Sequence, residues 1–165
     1  MSVDVHVSAE GVRVPLARAR VAELARGVLR GERVRDAELS YTFVTSRAIA
    51  ALNRRHLGHA GPTDIITFEL GAAAGGAAPR VVGDVYIAPD VARAHARQYG
   101  RPVREELARL VVHGALHAAG HTHPEGDGRE RSAMWRRQER YLARLFAAAA
   151  AASAPPPRPS RATAR

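Results

Sequence analysis

Four of the eight histidines in this chain fall within eleven residues, His113-Gly-Ala-Leu-His117-Ala-Ala-Gly120-His-Thr-His123. Neutral imidazole is a metal ligand, and residues four apart on a helix lie on one face, so His113 and His117 can converge on a single ion. His121 cannot follow them along the same straight helix, because eight residues at about 1.5 Å each carry it about 12 Å up the axis. The chain must reverse, and Gly120 stands where a residue tolerant of the left-handed conformation ends a helix. A few residues past that reversal His123 can swing back to the ion. The expected ligands are therefore His113, His117 and His123, with His121 as the alternate third. Three nitrogens leave one tetrahedral position for water, the open arrangement of a catalytic zinc, so one Zn2+ per chain is the expected cofactor. A histidine-rich tract that binds metal loosely and without chemistry is the plain competitor. An apolar helical run leading directly into the cluster, and a glycine at the required turn, favour a built site.

The elements that must hold these residues can be read from periodicity. Val3 to Val7 alternates as a strand, and Leu16 to Leu29 carries apolar residues at helical spacing after Pro15. Glu38 to Val44, Asp64 to Leu70 and Val81 to Ala88 read as further strands, with a helix over Arg47 to Leu57 between the first two. Gly71 to Pro79 reads as a flexible hairpin connection. Pro89 opens a helix to about Tyr99 and Pro102 a longer one to about Ala119, whose stripe of Val103, Leu107, Leu110 and Val111 anchors the histidine pair in the core. Glu130 to Ala150 forms the last helix. The predicted fold class is α+β: a single domain over 1–150 with a mixed four-stranded sheet, about five helices and a zincin-like metal-binding helix. Beyond Ala150 the composition collapses to Ala, Pro, Ser and Arg with a single Thr, so 151–165 is predicted to be a disordered tail.

The histidine helix resembles that of zinc metallopeptidases, yet Gly114 occupies the position of their water-activating glutamate. Peptidase chemistry thereby lacks its base. Together with Leu52-Asn53, Gly61-Pro-Thr-Asp64-Ile-Ile-Thr-Phe68 and Gly83-Asp-Val-Tyr-Ile87, the histidine motif resembles the signature of the YbeY family of metal-dependent endoribonucleases, in the same order over residues 36 to 146. The resemblance implies cleavage of single-stranded RNA, maturation of the 16S rRNA 3′ end, and ribosome quality control. It implies an rRNA precursor and the small ribosomal subunit as partners. Two positions depart from the family pattern. His121-Thr122 replaces a Tyr-Asp pair, removing a carboxylate available to orient the ligands. Leu57 replaces an arginine shortly before Pro-Thr-Asp, and Arg54 or Arg55 is the candidate substitute, though a shift of two or three residues turns a guanidinium to another helix face. The candidate catalytic set is His113, His117, His123, Arg54 and Arg55.

Composition agrees with this frame. The chain has 165 residues, 46% of them hydrophobic, enough for one domain with a real core. It has no cysteine, which excludes disulfides and thiolate ligands. No apolar run approaches the roughly 20 residues of a membrane span, and no signal-peptide pattern opens the sequence, so a cytoplasmic protein is expected. The net charge of +9 suggests a polyanionic partner; without Arg158, Arg161 and Arg165 of the acid-free tail, 22 arginines face 16 acids, a net of +6. Aromatic residues are sparse at 5%, against a base-stacking platform.

The expected mechanism is metal-assisted cleavage of an RNA phosphodiester, the ion polarising a phosphoryl oxygen while arginines receive the charge. The general base stays open among water at the metal, His121 and the RNA 2′-hydroxyl. Asp64, Asp84, Glu105 and Glu106 are read as structural, and Glu125 or Asp127 as possible replacements for the missing carboxylate. The rival readings are a noncatalytic ribosome-assembly factor with a structural metal and a metallohydrolase of non-RNA substrates.

Overall fold

The computed structural model describes residues 2–71 and 80–152. The predicted connection therefore falls outside the described residues except at Gly71, and the predicted tail except at its first two positions. The alternating segments form four strands, β1 (Val3–Ala9), β2 (Ala37–Phe43), β3 (Ile65–Glu69) and β4 (Val81–Ile87). They pair in the order β1-β2-β4-β3, with β1, β2 and β4 parallel and β3 antiparallel to β4, giving the mixed sheet expected.

The side-chain period of two sends Leu39, Tyr41 and Phe43 of β2 and Val85 and Ile87 of β4 to one face, where all are buried. Helices α1 (Arg18–Gly31) and α4 (Val103–Ala118) cover that face. On the opposite face the β2 residues are Glu38, Ser40 and Thr42. A smaller apolar cluster of Val44, Ile49, Ile66 and Ala88 forms against α2 (Ser46–Leu52). Helix α3 (Pro89–Gln98) and helix α5 (Ala133–Ala152) both pack on α4. Among the described residues no helix is long and apolar enough to cross a membrane.

Two predicted helices have different boundaries. The segment read as helix over 47–57 is α-helical to Leu52 and then widens into a π turn, Asn53–Leu57, closed by Gly58 at φ 68°. The turn is pinned by Asn53, whose buried side-chain amide donates to the Gly61 carbonyl at 3.0 Å. The last helix starts at Ala133 rather than Glu130, because residues Gly126–Arg131 form a 3-10 segment and the Ser132 hydroxyl then accepts from the Trp135 N–H at 3.1 Å.

Helix α4 is buried continuously from Glu106 to Leu116, and two contacts fix its rotation on the sheet. The Tyr41 hydroxyl donates to the Val111 carbonyl at 2.9 Å, and complete burial pushes the phenol pKa up, so it remains a donor. One turn on, Gly114 lies so close to β4 that a β-carbon there would stand 2.7 Å from Val85 Cγ1. Position 114 thus packs directly against the sheet, and a glutamate side chain does not fit there in this packing. Gly114→Ala is expected to destabilise the fold by about 1–3 kcal/mol through overpacking, measured as a lower urea midpoint with an unchanged slope.

Candidate metal centre

The histidine rings of α4 lie one turn apart, with centroids of His113 and His117 4.6 Å from each other. The helix then ends in a Schellman turn. The His121 N–H donates to the Leu116 carbonyl at 3.0 Å, the Gly120 N–H to the His117 carbonyl at 2.8 Å, and Gly120 takes φ 95°. This reversal returns His123 to the pair. Its Nε2 lies 3.2 Å from His117 Nε2 and 3.3 Å from His113 Nε2. Zinc–nitrogen bonds of about 2.0–2.1 Å at tetrahedral angles place ligand nitrogens about 3.3 Å apart, so both contacts of His123 have the spacing of such a site, and all three ligand atoms lie within 4.8 Å of one another.

The protons agree with that geometry. Gln138 Oε1, 2.7 Å from His113 Nδ1, can only accept, so the proton of His113 sits on Nδ1 and its Nε2 carries a lone pair. His123 Nδ1–H likewise donates to the Pro124 carbonyl at 2.8 Å. The bare Nε2 of His113 therefore faces His123 Nε2, and a cation held between the rings would be drawn to its lone pair. Burial, followed by the charge of His117, pushes the pKa of His113 down to about 3. Burial and then His123 push that of His117 down to about 4. Both rings are therefore neutral at pH 7, the form a metal ligand must take.

The support behind His113 comes from α5. Gln138 is almost fully buried, and its NH2 donates to Glu139 Oε1 at 3.2 Å. Glu139 accepts from Arg109 Nε at 2.8 Å, and Arg109 also donates to Glu106 at 2.7 Å and Glu105 at 3.0 Å. These acids therefore hold Arg109 and reach no imidazole, which agrees with their structural reading. Thr122 offers no carboxylate on the histidine turn, and the group that holds the His113 ring is Gln138, from another helix. The sequence carries no local signal for this partner, 25 residues beyond His113.

The remaining candidates separate clearly. His121 is turned away from the triad, its Nε2 2.7 Å from Glu32 Oε2. Glu32 also accepts from Arg137 at 2.9 Å and Tyr141 at 2.6 Å, binding the histidine turn to α1 and α5. Glu125 and Asp127 are exposed around the 3-10 segment and outside the ligand set. Asp84 accepts from Ser40 across the sheet. Asp64 is buried 3.2 Å from His95 Nδ1. The triad lines a cleft of about 540 Å³ together with Leu57, Asp64 and Arg129. A smaller cavity of about 150 Å³ adjoins His113 and is lined by Gln138, Trp135 and Arg101. Asp64, His113 and Arg129 line both spaces. Arg54 and Arg55 are exposed on the π turn and line neither, whereas Leu57 from the same turn does. Arg129, which the sequence reading did not single out, is the arginine that lines the cleft.

Comparison with known proteins adds independent findings. The family model described as Endoribonuclease YbeY matches residues 6–146. A Thermobifida fusca protein named Endoribonuclease YbeY is 37% identical over 149 residues, covering 87% of this chain and 93% of its own length. Proteins of the same name from Frankia casuarinae and Frankia alni are each 38% identical over 133 residues. Both alignments cover 75% of this chain, with 65% of the first protein and 72% of the second. The solution structure of TM1509 from Thermotoga maritima has the same fold, with a TM-score of 0.61 at 22% identity, covering 96% of this chain and 99% of its own.

Because Gln138 fixes the His113 tautomer, Gln138→Leu is expected to lower zinc affinity about 10- to 100-fold. Competition against a chromophoric chelator measures this, with circular dichroism confirming that the variant is folded.

Proposed function

The chain belongs to the YbeY endoribonuclease family, and from that premise we propose that it is a metal-dependent, single-strand-specific endoribonuclease. Its substrate is an rRNA precursor, cut in maturing the 3′ end of 16S rRNA and in ribosome quality control, with the small ribosomal subunit as partner and the cytoplasm as location. The observation that supports this reading most is the convergence of three imidazoles, His123 Nε2 standing 3.2 and 3.3 Å from the nitrogens of His117 and His113, in a cleft shared with an arginine.

His113, His117 and His123 are the residues that would hold one Zn2+, a donor set of nitrogens suited to it. A divalent ion there supplies Lewis acidity toward a phosphodiester oxygen. His113 and His117 contribute fixed positions on a buried helix, and His123 closes the triad from the turn. No peptidase-type glutamate stands at 114, and His121 is engaged by Glu32, so neither serves as general base. That assignment leaves water or the RNA 2′-hydroxyl as nucleophile, and the second route leaves a 2′,3′-cyclic phosphate end. Arg54 and Arg55, exposed on the π turn beside Leu57, meet RNA phosphates outside the cleft.

Purified zinc-loaded protein is expected to cut a labelled single-stranded RNA, while His117→Ala prepared identically does not. Chelation should stop cleavage and added zinc restore it. A wild type that holds one zinc yet never cuts would favour the noncatalytic assembly-factor reading.

A further inference from the structure

Three arginines line the two cavities, Arg101, Arg109 and Arg129, and they differ in what they have left to offer an anion. Arg109 is surrounded by Glu105, Glu106 and Glu139, all within 3.0 Å. Arg101 lies 3.8 Å from Glu106 and lines only the smaller cavity. Arg129 makes no ion pair among the described residues, and its Nε is buried without a hydrogen-bond partner. A desolvated guanidinium N–H without an acceptor is costly, and the cost is relieved when a ligand oxygen arrives.

Its place is also fixed. Arg129 sits in the 3-10 segment after His123, and its carbonyl accepts from the Ser132 N–H at 3.1 Å and the Ser132 hydroxyl at 2.6 Å. Its guanidinium carbon lies 6.0 Å from the Trp135 ring centroid, within the range of a cation–π contact. It shares both cavities with His113, and its positive charge contributes to the lowered pKa of His113 and His117. Leu57, which lines the same cleft, offers no charge.

We propose that Arg129 is the cation that binds the non-bridging oxygens of the RNA phosphodiester at the triad, supplied by the 3-10 segment instead of the π turn that carries Arg54 and Arg55. This rests on the ribonuclease reading. A planar guanidinium presents paired donors to two phosphate oxygens, so it holds the group in a set orientation as well as neutralising it. Arg54 and Arg55, outside the cleft, then affect overall RNA affinity without orienting the reacting group.

The test is binding of a fluorescent single-stranded 2′-O-methyl oligonucleotide with ordinary phosphodiester linkages to zinc-loaded protein across a salt series, beside cleavage of unmodified RNA. Arg129→Gln is expected to weaken binding about tenfold or more and to flatten the log–log salt slope by about 0.7, the loss of one phosphate contact on a single strand. Its zinc content should stay at one per chain. Arg129→Lys, which keeps the charge without the planar fork, should recover part of the affinity and guards against a folding defect in the first variant. Affinity and salt slope equal to wild type in both variants would overturn the assignment, as would a loss confined to Arg54→Gln/Arg55→Gln. If the wild type binds the oligonucleotide through Arg129 but never cuts RNA, the ribonuclease reading fails while the phosphate site stands.

Discussion

Two imidazoles on one helix can share an ion with a third from a loop only while the helix keeps its rotation about its own axis. Turning α4 by a fraction of a residue would swing His113 and His117 away from His123, whose Nε2 lies 3.3 and 3.2 Å from theirs. That rotation is set by the sheet beneath and the helix above. Gly114 sinks against Val85, Tyr41 grips the Val111 carbonyl, and from above Gln138 holds His113 while Glu139 holds Arg109. The glycine that excludes a peptidase base is thus the one that seats the metal helix.

Much of this was legible in the sequence because it depends on short-range periodicity. The i, i+4 histidines, the helix-ending Gly120 and the four strands follow from spacing, and the structure places all of them within a few residues of expectation. What escaped depends on how distant elements are rotated when they dock. Nothing near His113 announces Gln138, which reaches it only because α5 crosses α4 with that face down. The same holds for Glu32, which captures His121 from 89 residues away, and for Arg129, hidden in a glycine-rich stretch that reads as an open loop yet forms a 3-10 segment. The π widening at Asn53 was also unreadable, since it adds a residue to a turn without breaking the apolar pattern.

The departures at Thr122 and Leu57 therefore look different in three dimensions than along the chain. Each removes a polar group from one element, and in each case a group on another element lies at the same site: Gln138 behind His113, and Arg129 in the cleft. The site is better described by which atoms converge than by which motif positions are filled.

In the proposed zinc site three histidine nitrogens, and no carboxylate, form the protein's share, leaving one position open. Zinc titration followed by X-ray absorption at the zinc edge tests this directly, in the wild type and in His123→Ala. The wild type is expected to hold one zinc tightly, with three imidazole nitrogens at about 2.0–2.1 Å and one non-protein oxygen, falling to two imidazoles in the variant. A wild-type site with two imidazoles, a set unchanged by His123→Ala, or no stoichiometric zinc would contradict it.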